Sequence, residues 1–453
     1  MSTDLQLQPG WLSGLRESGK AGFSGLPTQR QEAWKYTGLN KLKALTFEPT
    51  PSHGASPLEG EVDDAQRQRV GGMAPPSHQL REGGESTPHP DLRSDLLLKG
   101  GGGSILTFIN GHYAPDKSTI GALPDGVVLG SLAELLTTRP ALLEGHLGKT
   151  IDIARKPMAA LNTGWIEDGL VLIVPRNVSI EAPVVVDFVT DGNAPVAHPR
   201  LLVSLGETAE AVLIERHLYG GAGGFSNQVA EITLGIGANF RHYVLHVEPD
   251  ASFAVETVAV TVERDASYRS FALTAGAGLV RRETEVQLRQ SGAAAQVDGA
   301  YLVDGERHAD TTILIDHQAP HCASRQTQKG VIDDDGRAVF QGKILVRPDA
   351  QKTDGRQLSQ TLLLSPRAEI DVKPELEIHA DDVKCSHGAT VGRLDADALF
   401  FLRARGIPEA EARALLIQGF IGGALDEIDR PDVRETFEVV AANWLKRNSE
   451  SHS

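Results

Sequence analysis

From about Asp168 to Val391 short apolar runs alternate with turn residues, and no helical periodicity interrupts them. Val171-Leu-Ile-Val174, Val184-Val-Val186, Leu201-Leu-Val203, Ala211-Val-Leu-Ile214 and Ile313-Leu-Ile315 are representative, divided by Gly, Asn, Asp and Pro. A turn followed by a small residue recurs at Asn177-Val178, Thr208-Ala209, Gly237-Ala238, Asp265-Ala266, Ala293-Ala294, Arg337-Ala338 and Arg367-Ala368. Apart from one longer step after Ala294, the interval is roughly 28–31 residues, inside the range of solenoid repeats. The pattern predicts a parallel β-helix, in which each coil buries its inward side chains against its neighbours; a β-sandwich or jelly roll is the competing all-β reading.

The flanks have a different texture. Residues 10–47 read as helical, with Leu12, Leu15, Ala33, Trp34, Tyr36 and Leu42 for an apolar face. Residues 51–91 hold Pro, Gly, Ser, Glu, Arg and Gln and almost no large apolar side chain, too little to offset ordering entropy. Ser104-Ile-Leu-Thr-Phe-Ile-Asn-Gly111 reads as a strand ending in an Asn-Gly turn, and Ser131–Thr138 and Ile151–Thr163 as helices. Beyond Val391 the helical period returns in three segments, 395–405, 409–425 and one opened by Pro431, which form either a cap for the solenoid or a docking surface. The chain therefore divides into a helical segment 1–48, a disordered insertion 49–97, the rest of an N-terminal α/β domain 98–165, a β-helix core 166–392, a helical domain 393–447 and a disordered tail 448–453.

Composition narrows the function. The 60 acidic against 44 basic residues leave a formal charge of −16, which repels nucleic acid and anionic lipid. No apolar run is long enough for a membrane span, and the first residues lack a basic start followed by a hydrophobic stretch. Two cysteines in 453 residues exclude a disulfide framework and suit a reducing cytoplasm.

The chemical candidates are few. Gly145-His-Leu-Gly-Lys-Thr150 has two residues between its glycines where a P-loop needs four, so no nucleotide is expected on this chain. His317-Gln-Ala-Pro-His-Cys322 matches no closed zinc spacing and reads first as a polar turn. His308 and His379 stand alone, and no nucleophile-elbow Gly-x-Ser-x-Gly occurs. Cys385 and His387 stand two apart in a strand-like run, so thiol and imidazole project from one face, with Asp381 and Asp382 upstream. Sulfur beside nitrogen suits iron, zinc or copper, or a nucleophilic thiol with a basic neighbour; a small buried core cysteine is the plain alternative. Two donors cannot complete a metal site.

The run Lys373-Pro-Glu-Leu-Glu-Ile-His-Ala-Asp-Asp-Val-Lys-Cys-Ser-His-Gly-Ala-Thr-Val-Gly392 resembles the C-terminal signature of the SufBD family of the Suf iron–sulfur cluster assembly system. Leu399-Phe-Phe-Leu-Arg-Ala-Arg-Gly-Ile-Pro408, Leu416-Ile-Gln-Gly-Phe420 and Leu26-Pro-Thr-Gln-Arg-Gln-Glu-Ala-Trp-Lys-Tyr-Thr37 extend the resemblance. It implies a right-handed parallel β-helix between helical domains and a non-enzymatic role. It also implies pairing with the paralogous scaffold SufB and docking of the ATPase SufC on the C-terminal helices, for which Phe400, Arg403, Arg405, Leu416 and Phe420 are candidates. His387, supported by Cys385, is the implied ligand of a transient iron–sulfur cluster or iron shared with SufB. A reduced flavin in the assembled complex is a further implication, without a site in this sequence, and the isolated chain could form a homodimer. A cluster normally needs four cysteines, and this chain carries two, 63 residues apart, so alone it is a poor scaffold.

Three other readings compete. SufB itself is opposed by the missing further cysteines. A secreted β-helix polysaccharide lyase or hydrolase is opposed by the low aromatic content of 5% and the absent leader. A structural interaction protein with a core cysteine is the third.

Overall fold

The computed structural model describes residues 9–51, 103–221 and 223–451. The expected insertion over 49–97 lies, from residue 52 on, outside the described residues.

Two sheets run the length of the solenoid. In the first, nine successive parallel strands pair in order from Ser104–Ile109 to Lys384–Gly392; in the second the parallel run ends at Glu369–Ile378. Parallel strands joined by short corners stack coil on coil, and alternate side chains point inward, so inward positions form columns along the axis. One column reads Leu172, Val203, Ile232, Val260, Val286, Ile315, Ile344, Leu376, each in register with the next. β-branched side chains dominate it because their restricted rotamers stack well on a pleated surface.

The corners explain the repeat. Asn177, Thr208, Gly237, Asp265, Gly292, His321 and Lys352 all have positive φ, 27 to 31 residues apart. Backbone N–H groups of Asn177, Thr208, Gly237, Asp265, His321 and Lys352 donate to carbonyls of the following coil, Glu207, Ile236, Arg264, Ser291, Gln351 and Asp382. From the Thr208 corner on, the residue that follows is small and points inward: Ala209, Ala238, Ala266, Ala293, Cys322 and Thr353 are buried. The longer step expected after Ala294 is therefore not a break. The series continues through Cys322 and Thr353, whereas Ala338 and Ala368 belong to the opposite sheet's side, whose corners include left-handed Gly305 and Asp334.

The two ends differ. At the N-terminal end the hairpin Ser104–Ile109/His112–Tyr113 and the strand Val128–Ser131 close the sheets with antiparallel pairs, and helices Leu132–Thr138, Pro140–Glu144 and Pro157–Gly164 pack nearby. Ser131 caps its helix, its hydroxyl accepting from Glu134 N–H at 3.2 Å. At the other end, strands Glu369–Ile378 and Lys384–Gly392 pair on one side only among the described residues.

Three expectations need correction. Residues 10–47 are helical only over Gly10–Gly22; beyond the Pro27 turn the chain runs as an extended strap with single 3₁₀ turns at Glu32–Trp34 and Asn40–Leu42. Its apolar residues are spaced by turns, and Trp34, Leu39 and Leu42 pack on Phe225, Val255 and Leu279 of the second sheet. The C-terminal helices Ala396–Arg403, Glu409–Leu425 and Pro431–Ser451 do not cap the open end; the middle one lies on the flank of the first sheet, against strands Ala294–Val303 and Ala323–Ile332. Asp429 fixes it there, accepting from Arg241 Nε at 2.8 Å and Tyr243 Oη at 2.5 Å. The tail expected to be disordered from 448 instead continues the last helix to Ser451.

Candidate metal-ligand pair at the open coil

Strand Lys384–Gly392 pairs with Asp354–Leu363 in the register Gly355–Cys385, Gln357–His387. Gly355, Gln357, Ser359 and Thr361 are the inward positions of their coil. Cys385 and His387 therefore continue the inward face one coil further, where no coil covers them. Cys385 is half-buried on Ile344, Val346 and Leu376, while His387 is exposed. A Cβ on Gly355 would sit 3.4 Å from Cys385 Sγ, so the thiol already fills the contact distance to its neighbour coil.

Burial, and then the charge of Asp354, push the Cys385 thiol above its ordinary range. Among the described residues no third His, Cys, Asp or Glu joins Cys385 and His387 closely enough to hold an ion.

The other candidates are structural. Cys322 occupies the small inward corner position, its Sγ–H donating to Gln290 O at 3.2 Å, and burial raises its pKa. His317 stands in an aliphatic column between Leu288 and Val346, with Nε2 2.8 Å from Ser324 Oγ; burial lowers its pKa to about 4, so the ring is neutral. His308 Nε2 lies 3.0 Å from Thr37 Oγ1 of the strap, and His379 pairs with Glu377 at the surface, 2.9 Å away. Asp381 and Asp382 are exposed in the corner before Lys384.

On the C-terminal helices, Ala396–Arg403 buries none of its residues although it carries Leu399, Phe400, Phe401 and Leu402. Phe400 is 73% exposed. Arg405 lies over the Phe401 ring at 3.2 Å, and Arg403 pairs with Glu409 at 3.1 Å. Leu416 is half-buried, and Phe420 faces its own solenoid beneath Lys329, which donates to its carbonyl at 3.2 Å. Phe401 and Leu415, which are not among the docking candidates named from the sequence, are exposed as well.

The strap motif Glu32-Ala-Trp-Lys-Tyr-Thr37 is explained by anchoring. The Arg281 guanidinium covers the Trp34 ring at 4.0 Å and donates to Ala33 O at 2.7 Å, and both Arg281 and Thr37 bond to buried Asp310. Lys373, on the second sheet's last strand, reaches Glu32 at 2.7 Å.

Fold and site together define a parallel β-helix protein with helical flanks and a thiol–imidazole pair on its uncovered terminal coil. Residues 188–420 match the SUF system FeS cluster assembly SufBD core domain, and residues 103–186 the SufBD protein N-terminal region. The chain belongs to the SufBD family of iron–sulfur cluster assembly proteins. It is 32% identical over 418 residues to the SufBD family protein slr0076 of Synechocystis, covering 89% of this chain and 84% of the relative. To the iron–sulfur cluster assembly protein SufD of Escherichia coli it is 30% identical over 402 residues, covering 88% and 84%. To SufD of Bacillus subtilis it is 25% identical, covering 71% and 74%. Membership displaces the polysaccharide-lyase reading. No helix among the described residues is long and apolar enough to cross a membrane.

Proposed function

We propose that this chain is the SufD-type subunit of a cytoplasmic Suf scaffold: it catalyses no reaction itself, pairs with SufB through its open coil and receives the ATPase SufC on its C-terminal helices. His387, with Cys385, contributes transient ligands to iron or a nascent cluster, and SufB supplies the rest. One observation carries this reading: two soft and borderline donors occupy the inward face of the last coil, with no third donor in reach among the described residues. A site meant to release its cargo is better served by an incomplete ligand set than by four thiolates.

The exposed apolar helix Ala396–Arg403 supports the ATPase contact. Only Arg393 and Leu394 separate Gly392, the last residue of the ligand strand, from Asp395, which caps that helix. A displacement of the helix would reach the ligand strand almost directly.

The test is anaerobic co-purification with SufB and SufC, followed by visible absorption of the wild-type, His387→Ala and Cys385→Ser complexes. Loss of most cluster absorbance in His387→Ala, a smaller loss in Cys385→Ser and unchanged subunit stoichiometry are expected. Full absorbance in both variants would remove the ligand role.

A further inference from the structure

The aliphatic lining of the solenoid gives way in its central coils to polar side chains. Glu215 and His217 on Glu210–Tyr219, His242 and His246 on Asn239–His246, Glu248 just beyond, and Glu256 on Phe253–Val262 converge. Each is no more than 5% exposed. His217 and His246 are register partners in adjacent coils, their rings stacked with centroids 4.2 Å apart.

We propose that this lumen binds one divalent first-row transition-metal ion through His217 Nε2, His246 Nε2 and the carboxylates of Glu256 and Glu215, a site separate from the Cys385–His387 pair.

Four observations carry it. Glu256 Oε1 lies 2.9 Å from His246 Nε2 and 3.0 Å from His217 Nε2, and Glu215 Oε1 lies 2.6 Å from His217 Nε2. Yet His246 Nε2 and Glu256 Oε1 are fully buried and neither has a hydrogen-bond partner, so the ring N–H direction misses the carboxylate. Buried polar atoms without partners are expensive, and two facing one another need a cation placed off the line between them.

Second, the ring is oriented as a ligand. His246 Nδ1 is 3.2 Å from both carboxylate oxygens of Glu248. Donation of Nδ1–H to Glu248 leaves the Nε2 lone pair directed into the cluster, the carboxylate–histidine arrangement that fixes metal-binding imidazoles. Third, Glu215 is held by His242 Nε2 at 2.8 Å through its other oxygen, so the carboxylate is oriented from behind as well.

Fourth, three carboxylates, Glu215, Glu248 and Glu256, crowd the cluster; Glu256 bonds to Arg282, and the three also contact the His217 and His246 rings. A divalent ion would take the place of the ring protons between these groups without adding net charge. Two imidazoles and two carboxylates form a donor set of intermediate softness suited to Fe²⁺, Co²⁺ or Zn²⁺ rather than Mg²⁺ or Ca²⁺. Ligand bonds of about 2.0–2.2 Å place tetrahedral donor atoms roughly 3.3 Å apart, so the donors open by a few tenths of an ångström on loading. Complete burial makes exchange slow, and loading accompanies folding.

The test uses the full chain, independently of the scaffold role. It is refolded, and separately expressed, with Co²⁺, desalted, and analysed for metal content, visible ligand-field bands and X-ray absorption at the cobalt edge. One ion per chain with nitrogen and oxygen neighbours, including imidazole scattering and no sulfur, is expected. Glu256→Gln, close in shape, should weaken binding at least about tenfold, and Glu248→Gln by about 10–100-fold, the usual cost of losing an orienting carboxylate. The double variant Cys385→Ser/His387→Ala should bind as the wild type does. Negligible cobalt by both routes, or cobalt lost with the Cys385/His387 pair and retained in Glu256→Gln, overturns the proposal. If Glu256→Gln does not fold, as judged by circular dichroism, the wild-type absorption edge decides: a first shell without imidazole ends the idea.

Discussion

His198 shows how one buried ring ties the strap to the solenoid and makes the attachment sensitive to acid. Its Nε2–H donates to Phe47 O at 2.8 Å and its Nδ1 accepts from Asn227 Nδ2 at 3.2 Å, an arrangement only the neutral ring can make. Burial lowers its pKa from 6.5 to about 4. The depressed value means that the stabilisation is complete above pH 6.5 and is lost as pH falls through about 4. His317 acts in the same direction and window. Asp298 opposes them: burial raises its carboxyl to about 6, so its contribution is present at low pH and lost as pH rises toward 6. The variant comparison isolates one ring. His198→Gln keeps a donor for Phe47 O, and its unfolding free energy, measured in urea from pH 6.5 to 4.5, should fall less steeply than the wild type's by up to about 1.4 kcal/mol per pH unit. Equal slopes would remove His198 from the acid response. None of this was legible in the sequence, because His198 becomes distinctive only where the strap folds over it. The Cys385–His387 pair was legible, since i and i+2 share a face in any strand. The lumen cluster left a faint trace: His217 and His246 stand one coil apart, a spacing that carries meaning only once the repeat is known.

Among the elements, the strap differs most from its expected form. Apolar residues at 33, 34, 36 and 42 allowed a helix, but helical pattern alone does not distinguish a long helix from a chain pinned residue by residue to a sheet. The pinning is specific: Trp34 is nearly buried under Arg281, and Leu42 is fully buried on the same surface. Trp34→Ala removes the ring and leaves the Arg281 guanidinium facing a cavity; a loss of about 3–5 kcal/mol is expected from urea unfolding. The β-helix itself was readable because its corners impose small residues at a fixed interval. The reading changed sides after Ala294 because Cys322 and Thr353, less obviously small than alanine, continue the column. The C-terminal helices were placed correctly along the chain, but not in space. Their contacts to the first sheet combine Asp429 and Glu427, which pair with Arg241, Arg269 and Arg325 of the solenoid, with Phe437 packed beside Phe271, and neither isolated charges nor one apolar helix face says which surface is covered. For the exposed helix, Phe400→Asp together with Phe401→Asp should abolish co-purification of SufC and leave the thermal midpoint unchanged, since neither ring is buried.

At the scale of the molecule the decisive feature is polarity along the solenoid axis. One end is finished by antiparallel strands and helices, whereas at the other the two last strands pair on one side only among the described residues. Exposed edges invite pairing, and proteins that must avoid it place charge or proline along them. Here the first sheet's last strand ends in Ala389-Thr-Val-Gly392, and Val391 is 50% exposed. Lys384 stands at the strand's other end, beside the corner acids Asp381 and Asp382, so the stretch after His387 carries no charge. That asymmetry fits an edge kept open for a second β-helix, which would bring its own donors up to Cys385 and His387. Val391→Lys adds a charge at the uncovered end of the inward column that runs through Thr361. It should weaken association with SufB by about tenfold or more, equivalent to about 1.4 kcal/mol, in size-exclusion light scattering across a concentration series. The thermal midpoint of the isolated chain should stay where it is, because the side chain it replaces is half-exposed. Undiminished association would place the partner elsewhere on the solenoid, and with it the source of the missing ligands.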